Sequence, residues 1–88
     1  MKIRPYHILV KHEYEAKDIY KWLKEGKGFS ELAKKYSQCS SHQNGGDLGD
    51  VDPRKLDEDF LEAFNLLKPA TYSLPVRSRF GWHIIFKK

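Results

Sequence analysis

Cys39 is the only cysteine in the sequence. One thiol closes no internal disulfide and supplies no multi-thiolate metal site, so a domain this small must be held together by its core. Long apolar runs are also missing. Nothing approaches the roughly 18 consecutive apolar residues of a membrane span. The opening Met1-Lys2-Ile3-Arg4-Pro5 lacks the apolar stretch of a secretion signal, and a soluble, cytoplasmic protein with no membrane contact is expected. Like-charge blocks are absent too. The net charge of +4 is spread over Lys17, Lys21, Lys24 and Lys27, then Lys34 and Lys35, then Arg77, Arg79, Lys87 and Lys88. Such dilution describes a solvated face and argues against a nucleic-acid role, which needs a clustered patch interleaved with aromatics.

What is present is ordinary globular material. Hydrophobic residues at 40% and charged residues at 32% argue against disorder, and 88 residues suit one domain with one modest core. A single domain over residues 1–88 is expected.

Residues 5–11 are rich in β-branched and aromatic types and read as a strand, with His7 and Leu9 on one face and Tyr6, Ile8 and Val10 on the other. Ala16, Ile19, Tyr20 and Leu23 recur at helical spacing, predicting a helix over 14–27 that Gly26-Lys27-Gly28 ends. Phe29, Leu32, Ala33 and Tyr36 predict a second over 29–37. Residues 37–47 are a polar loop, and Leu48-Gly49-Asp50-Val51 reads as a short strand weakened by its glycine. Asp57 is a candidate N-cap for a third helix carrying Phe60, Ala63, Phe64 and Leu67, which Lys68-Pro69 stops. Residues 71–77, with Pro75, read as an edge strand, 77–81 as a turn, and Trp82-His83-Ile84-Ile85-Phe86 as a strand with His83 and Ile85 on one face. The order β-α-α-β-α-β-β, closing on a hairpin, predicts an α+β domain with a four-stranded antiparallel sheet and three to four helices.

Two histidines stand apart, because His7 and His83 each face away from a solid apolar set on a terminal strand. If those strands pair, the two imidazoles meet, and Cys39 in the polar loop can reach the same place. On the residues alone the better-supported reading is that both histidines are satisfied core or half-buried groups and Cys39 an inert buried thiol. A Cys/His protease needs a cleft and an oxyanion hole, for which 88 residues leave little room. A Cys/His metal site needs a third ligand, and the spacing of His12 and His42 fits no familiar pattern.

Four segments carry a resemblance. His7-Ile8-Leu9-Val10, the Phe29, Leu32, Ala33, Tyr36, Ser37 spacing, Gly45-Gly46-Asp47-Leu48-Gly49, and Phe80-Gly81-Trp82-His83-Ile84-Ile85 stand in the order and at the spacing of the parvulin signature. The match runs over roughly residues 5–87, and the sequence resembles a parvulin-type peptidyl-prolyl cis/trans isomerase. The resemblance implies a four-stranded antiparallel sheet wrapped by helices and a cofactor-free isomerase acting on proline-containing peptides and unfolded protein segments; a monomer is expected. It also implies site residues. His7 and His83 match the family's paired histidines. Cys39 falls at a loop position that carries Cys or Asp, and Ser78 matches a Ser/Thr that joins the histidine network. Leu48, Leu56 and Phe60 match the proline pocket, with Phe80 at its rim.

The sequence departs from the family in three ways. Arg54-Lys55-Leu56 replaces a frequent Gly-Gln-Met, the acidic run Asp57-Glu58-Asp59 is unexpected at the pocket edge, and only His12-Glu13 follows Lys11 where phosphoserine-directed relatives carry a long basic loop. A phosphate-selective site is therefore not expected. The rival reading is a non-catalytic module that binds proline peptides in a chaperone, keeping the pocket but needing neither Cys39 nor the histidines.

Overall fold

A computed structural model describes residues 2–88. The first strand, β1 (Tyr6–Val10), is followed by helices α1 (Glu13–Lys24) and α2 (Phe29–Tyr36) and by two short 3-10 turns, Ser40–Asn44 and Pro53–Lys55. Helix α3 (Glu58–Leu66) and strands β2 (Thr71–Tyr72), β3 (Val76–Ser78) and β4 (Gly81–Lys87) complete the chain. Strand β4, the longest, is the spine of the sheet. Strand β1 runs antiparallel along one side of it, and β2 and β3 pair antiparallel with its other side.

Strict alternation in β1 and β4 sorts side chains onto two faces. Ile8, Val10 and Ile84 go to one, where they meet Ala16, Ile19 and Leu23 of α1 and Leu32 and Ala33 of α2. Each such fully buried aliphatic side chain is worth about 1.5–3 kcal/mol over exposure. Ile85 goes to the other face, where Phe60 and Phe64 of α3 cover it. His7, Leu9 and His83 share this second face. The sheet is thus sandwiched between an α1/α2 layer and α3, and α3 only partly covers its face.

Local signals account for the boundaries. The Glu15 carboxylate accepts the backbone N–H of His12 at 3.1 Å, satisfying one donor at the start of α1. The Asp57 carboxylate accepts the N–H of Asp59 at 3.0 Å at the start of α3. Helix α1 stops at Lys24, three residues before the expected end, because Gly26 takes a φ of +99°.

Two expectations about the sheet need correction. Four antiparallel strands are present, but residues 48–51 are not one of them. Gly49 adopts a φ of +72°, which breaks the extended run, and only isolated bridges form there, Ile3 with Val51 and Tyr6 with Asp47. The expected strand over 71–77 is instead two strands, split at Leu74-Pro75, since proline has no N–H for the ladder. Ser73 bridges the gap: its N–H donates to the Ile85 carbonyl at 2.7 Å and its hydroxyl accepts the Ile85 N–H at 3.0 Å. Smaller differences are a 3-10 turn within the polar loop and the inclusion of Ser78, expected in a turn, in β3.

Candidate active site

Register decides where the histidines go. His7 is opposite Ile85 and Leu9 opposite His83, so the two imidazoles are diagonal neighbours across the β1–β4 ladder. Their rings stack at 5.2 Å between centroids, and their Nδ1 atoms lie 3.0 Å apart. One of those nitrogens must carry the hydrogen and the other accept it. His83 Nε2 lies 2.6 Å from the Ser78 hydroxyl, which also accepts the Phe80 N–H at 3.1 Å. If Ser78 donates, His83 carries its hydrogen on Nδ1 and His7 on Nε2; if Ser78 accepts, both tautomers reverse. In either case a single array runs from Ser78 through His83 to His7. It ends at His7 Nε2, a buried atom with no hydrogen-bond partner among the described residues.

This array is dry. His7 and His83 are 5% and 3% exposed, and Phe60 packs against both rings in T-shaped geometry, with centroids 5.5 and 5.3 Å away. Burial penalises the imidazolium, and the neighbouring imidazole adds to the effect on His7, lowering its pKa to about 3. Burial likewise lowers His83 to about 4, with the Asp57 carboxylate pulling weakly the other way. Both rings are neutral at physiological pH.

Beside them opens a pocket of about 260 Å³. Leu9, Leu48, Leu56 and Phe60 supply apolar wall, with Phe80 also lining it, while His7, His83 and Cys39 stand together on the lining. Every residue expected from the sequence borders this pocket except Ser78, which is buried and hydrogen-bonded to His83. Cys39 is half-buried, and its loop is tied to the sheet by Ser37, whose hydroxyl accepts the N–H groups of Leu9 at 3.0 Å and Cys39 at 3.4 Å. The Gly45-Gly46 turn braces β1 from outside. Gly46 accepts the His7 N–H at 2.9 Å, and a side chain on it would meet the His7 carbonyl oxygen at 2.5 Å.

Leu9, Ser37 and Lys55 were not named for the site. Leu9 was legible, since it shares a strand face with His7. Asp57 read as a cap and as part of an acidic run at the pocket edge, without a role. Its carboxylate also lines the pocket and pairs with Arg79 Nε at 3.4 Å. No group of three or more His, Cys, Asp or Glu among the described residues is arranged to hold a metal ion.

Comparison with known proteins agrees with this geometry. Residues 7–88 match the family described as Rotamase, PPIC-type PPIASE domain. The chain is 49% identical over 85 residues to the foldase protein PrsA of Geobacillus kaustophilus, covering 96% of the chain and 30% of that protein. It is 45% identical over 87 residues to PrsA of Bacillus subtilis, covering 98% of the chain and 30% of that protein. The crystal structure of Bacillus subtilis PrsA superposes with a TM-score of 0.93 at 44% identity, over 99% of this chain and 34% of that one. The solution structure of NmPin, the parvuline of Nitrosopumilus maritimus, gives 0.83 at 38% identity, over 97% and 92%. The chain therefore spans about a third of the PrsA proteins and nearly all of the small parvuline.

Proposed function

The chain belongs to the PPIC-type peptidyl-prolyl isomerase, or parvulin, family, and on that premise we propose that it interconverts the cis and trans forms of Xaa-Pro bonds in peptides and unfolded protein segments, without requiring a phosphorylated residue. Rotation about an amide must surrender resonance, at about 18–20 kcal/mol. Uncatalysed Xaa-Pro bonds exchange over tens to hundreds of seconds. No bond is made or broken, so the catalyst has only to bind the twisted amide better than either planar form. A hundredfold acceleration needs a difference of about 2.7 kcal/mol.

The observation that carries the reading is two neutral imidazoles at the wall of a water-poor, apolar pocket. The planar amide is the more charge-separated form. Surroundings of low polarity withhold stabilisation from it and so favour the twisted state. Leu48, Leu56 and Phe60 would grip the proline ring while the preceding carbonyl swings past Cys39 and the imidazoles. Polarity at the carbonyl would then be set by Cys39 and the histidine array rather than by a covalent step. The absence of a phosphate requirement follows from the short connection between Val10 and Glu13, which holds no long basic loop.

Exchange spectroscopy by NMR on a panel of Xaa-Pro peptides tests the reading. Added protein should speed cis/trans exchange, and Phe60→Ala should slow it again. Peptide shifts that saturate while exchange stays at its uncatalysed rate would identify a binding module instead.

A further inference from the structure

The acidic run at the pocket edge and the exposed turn before β4 have no part in the isomerisation chemistry above. They meet through an Arg79–Asp57 ion pair, and Asp57 and Lys55 both line the pocket. Lys55 is exposed and in no ion pair among the described residues. Arg79 approaches from the turn between β3 and β4. Its Nε lies 3.4 Å from Asp57 Oδ2, and its guanidinium lies over the Phe80 ring at 5.1 Å. The Arg79 side chain is 76% exposed and that of Asp57 only 14%. No side-chain hydrogen bond from Arg79 is present among the described residues, so its terminal amino groups are open to a ligand. Glu58 and Asp59 follow on α3 but are exposed and do not line the pocket.

We propose that Lys55 and Arg79 are specificity-determining residues: together they over-compensate Asp57, so that the mouth favours an acidic side chain next to the proline over a basic one. Two cations against one carboxylate leave a single positive unit facing the peptide. A carboxylate beside the proline can take the free amino groups of Arg79 without displacing Asp57, whereas a basic side chain must compete with Arg79 for it. Removing either cation cancels the excess. Removing both leaves the half-buried Asp57 alone, and the preference reverses sign. This rests on the isomerase reading and names the substrate chemistry of that same pocket.

The experiment measures kcat/KM by NMR exchange at low salt for peptides carrying Glu, Ala or Lys next to proline on either side. The protein is compared with Lys55→Gln, Arg79→Gln and the double variant, each checked for a native spectrum. Ratios between peptides, not absolute rates, are the readout. Exposed charges acting in water are each worth a small factor, so the unmodified protein should turn over the Glu peptide about two- to tenfold better than the Lys peptide. The advantage should shrink as salt is raised. Each single variant should bring the ratio near one, and the double variant should prefer Lys. Equal rates for Glu and Lys peptides in the unmodified protein, or a Glu preference that survives in the double variant, overturns the proposal. Failure to accelerate any peptide, Ala included, instead overturns the isomerase reading beneath it.

Discussion

Acidification from pH 7 to pH 5 should cost the fold about 4 kcal/mol through His7 and His83 alone. Unfolded, each imidazole titrates near 6.5; folded, burial holds His7 at about 3 and His83 at about 4. The folded state therefore binds fewer protons than the unfolded state at every pH between these values. Stability falls as pH drops through the unfolded value, and the loss stops growing only near the folded ones. At pH 5 each unfolded imidazole sits about 1.5 pH units below its pKa, and one unit corresponds to about 1.4 kcal/mol, giving about 2 kcal/mol per ring. Against a total of roughly 5–15 kcal/mol for a small domain, this is a large share. Asp47 and Asp52 fall outside this window, because Arg4 and Arg54 hold them below their ordinary value of 3.8. Urea midpoints at constant m-value, taken every half unit of pH, measure it. His7→Gln or His83→Gln should each remove about half of the dependence. A midpoint that stays flat between pH 7 and 5, or a full slope retained in both variants, would refute neutral buried imidazoles as the source.

Four further substitutions have expected outcomes. Ser78→Ala strands the Phe80 N–H and frees His83 Nε2, and should destabilise by about 1–3 kcal/mol in urea while lowering turnover on every peptide. Gly46→Ala forces a side chain to φ +87° and to within 2.5 Å of the His7 carbonyl oxygen, and should cost more than about 2 kcal/mol. Gly49→Ala, at φ +72° with nothing within 4 Å, should cost only the conformational part, about 1 kcal/mol, so equal losses would show that the clash is not felt. Cys39→Ser should retain measurable exchange catalysis; complete loss with a native spectrum would point to covalent attack on the amide.

Much of this fold is written in period-two alternation. Ile8 and Val10 against His7 and Leu9, with Ile84 against His83 and Ile85, separate a core face from a site face before any partner is known. Helical stripes in α1, α2 and α3 are equally local. The failures are long-range or hidden in backbone chemistry. Gly49 marked a weakness at 48–51, but the residue types alone do not say whether a glycine bends a strand or abolishes it. Pro75 marked an edge, but only the paired structure shows the Ser73 hydroxyl standing in for a ladder group beside Ile85. Register across β1 and β4 is set by all of the packing at once, and it alone makes His7 and His83 diagonal neighbours.

The site illustrates how few local choices separate a core from a pocket. Three helices cover two sheet faces, two on one side and one on the other, so the α3 side is under-covered from the start. The Asp52 carboxylate accepts the Arg54 N–H at 3.0 Å and seats the 3-10 turn that leads into α3. Phe60, one turn into that helix, then has to serve both as core against Ile85 and as wall against the imidazoles. A bulkier layer over His7 and His83 would bury the pair as thoroughly and leave no hollow. A thinner one would wet it and raise both pKa values toward their ordinary range. Neutral histidines and an open apolar pocket are compatible only when one aromatic residue seals the rings while leaving the space beside them free, and Phe60 occupies that position.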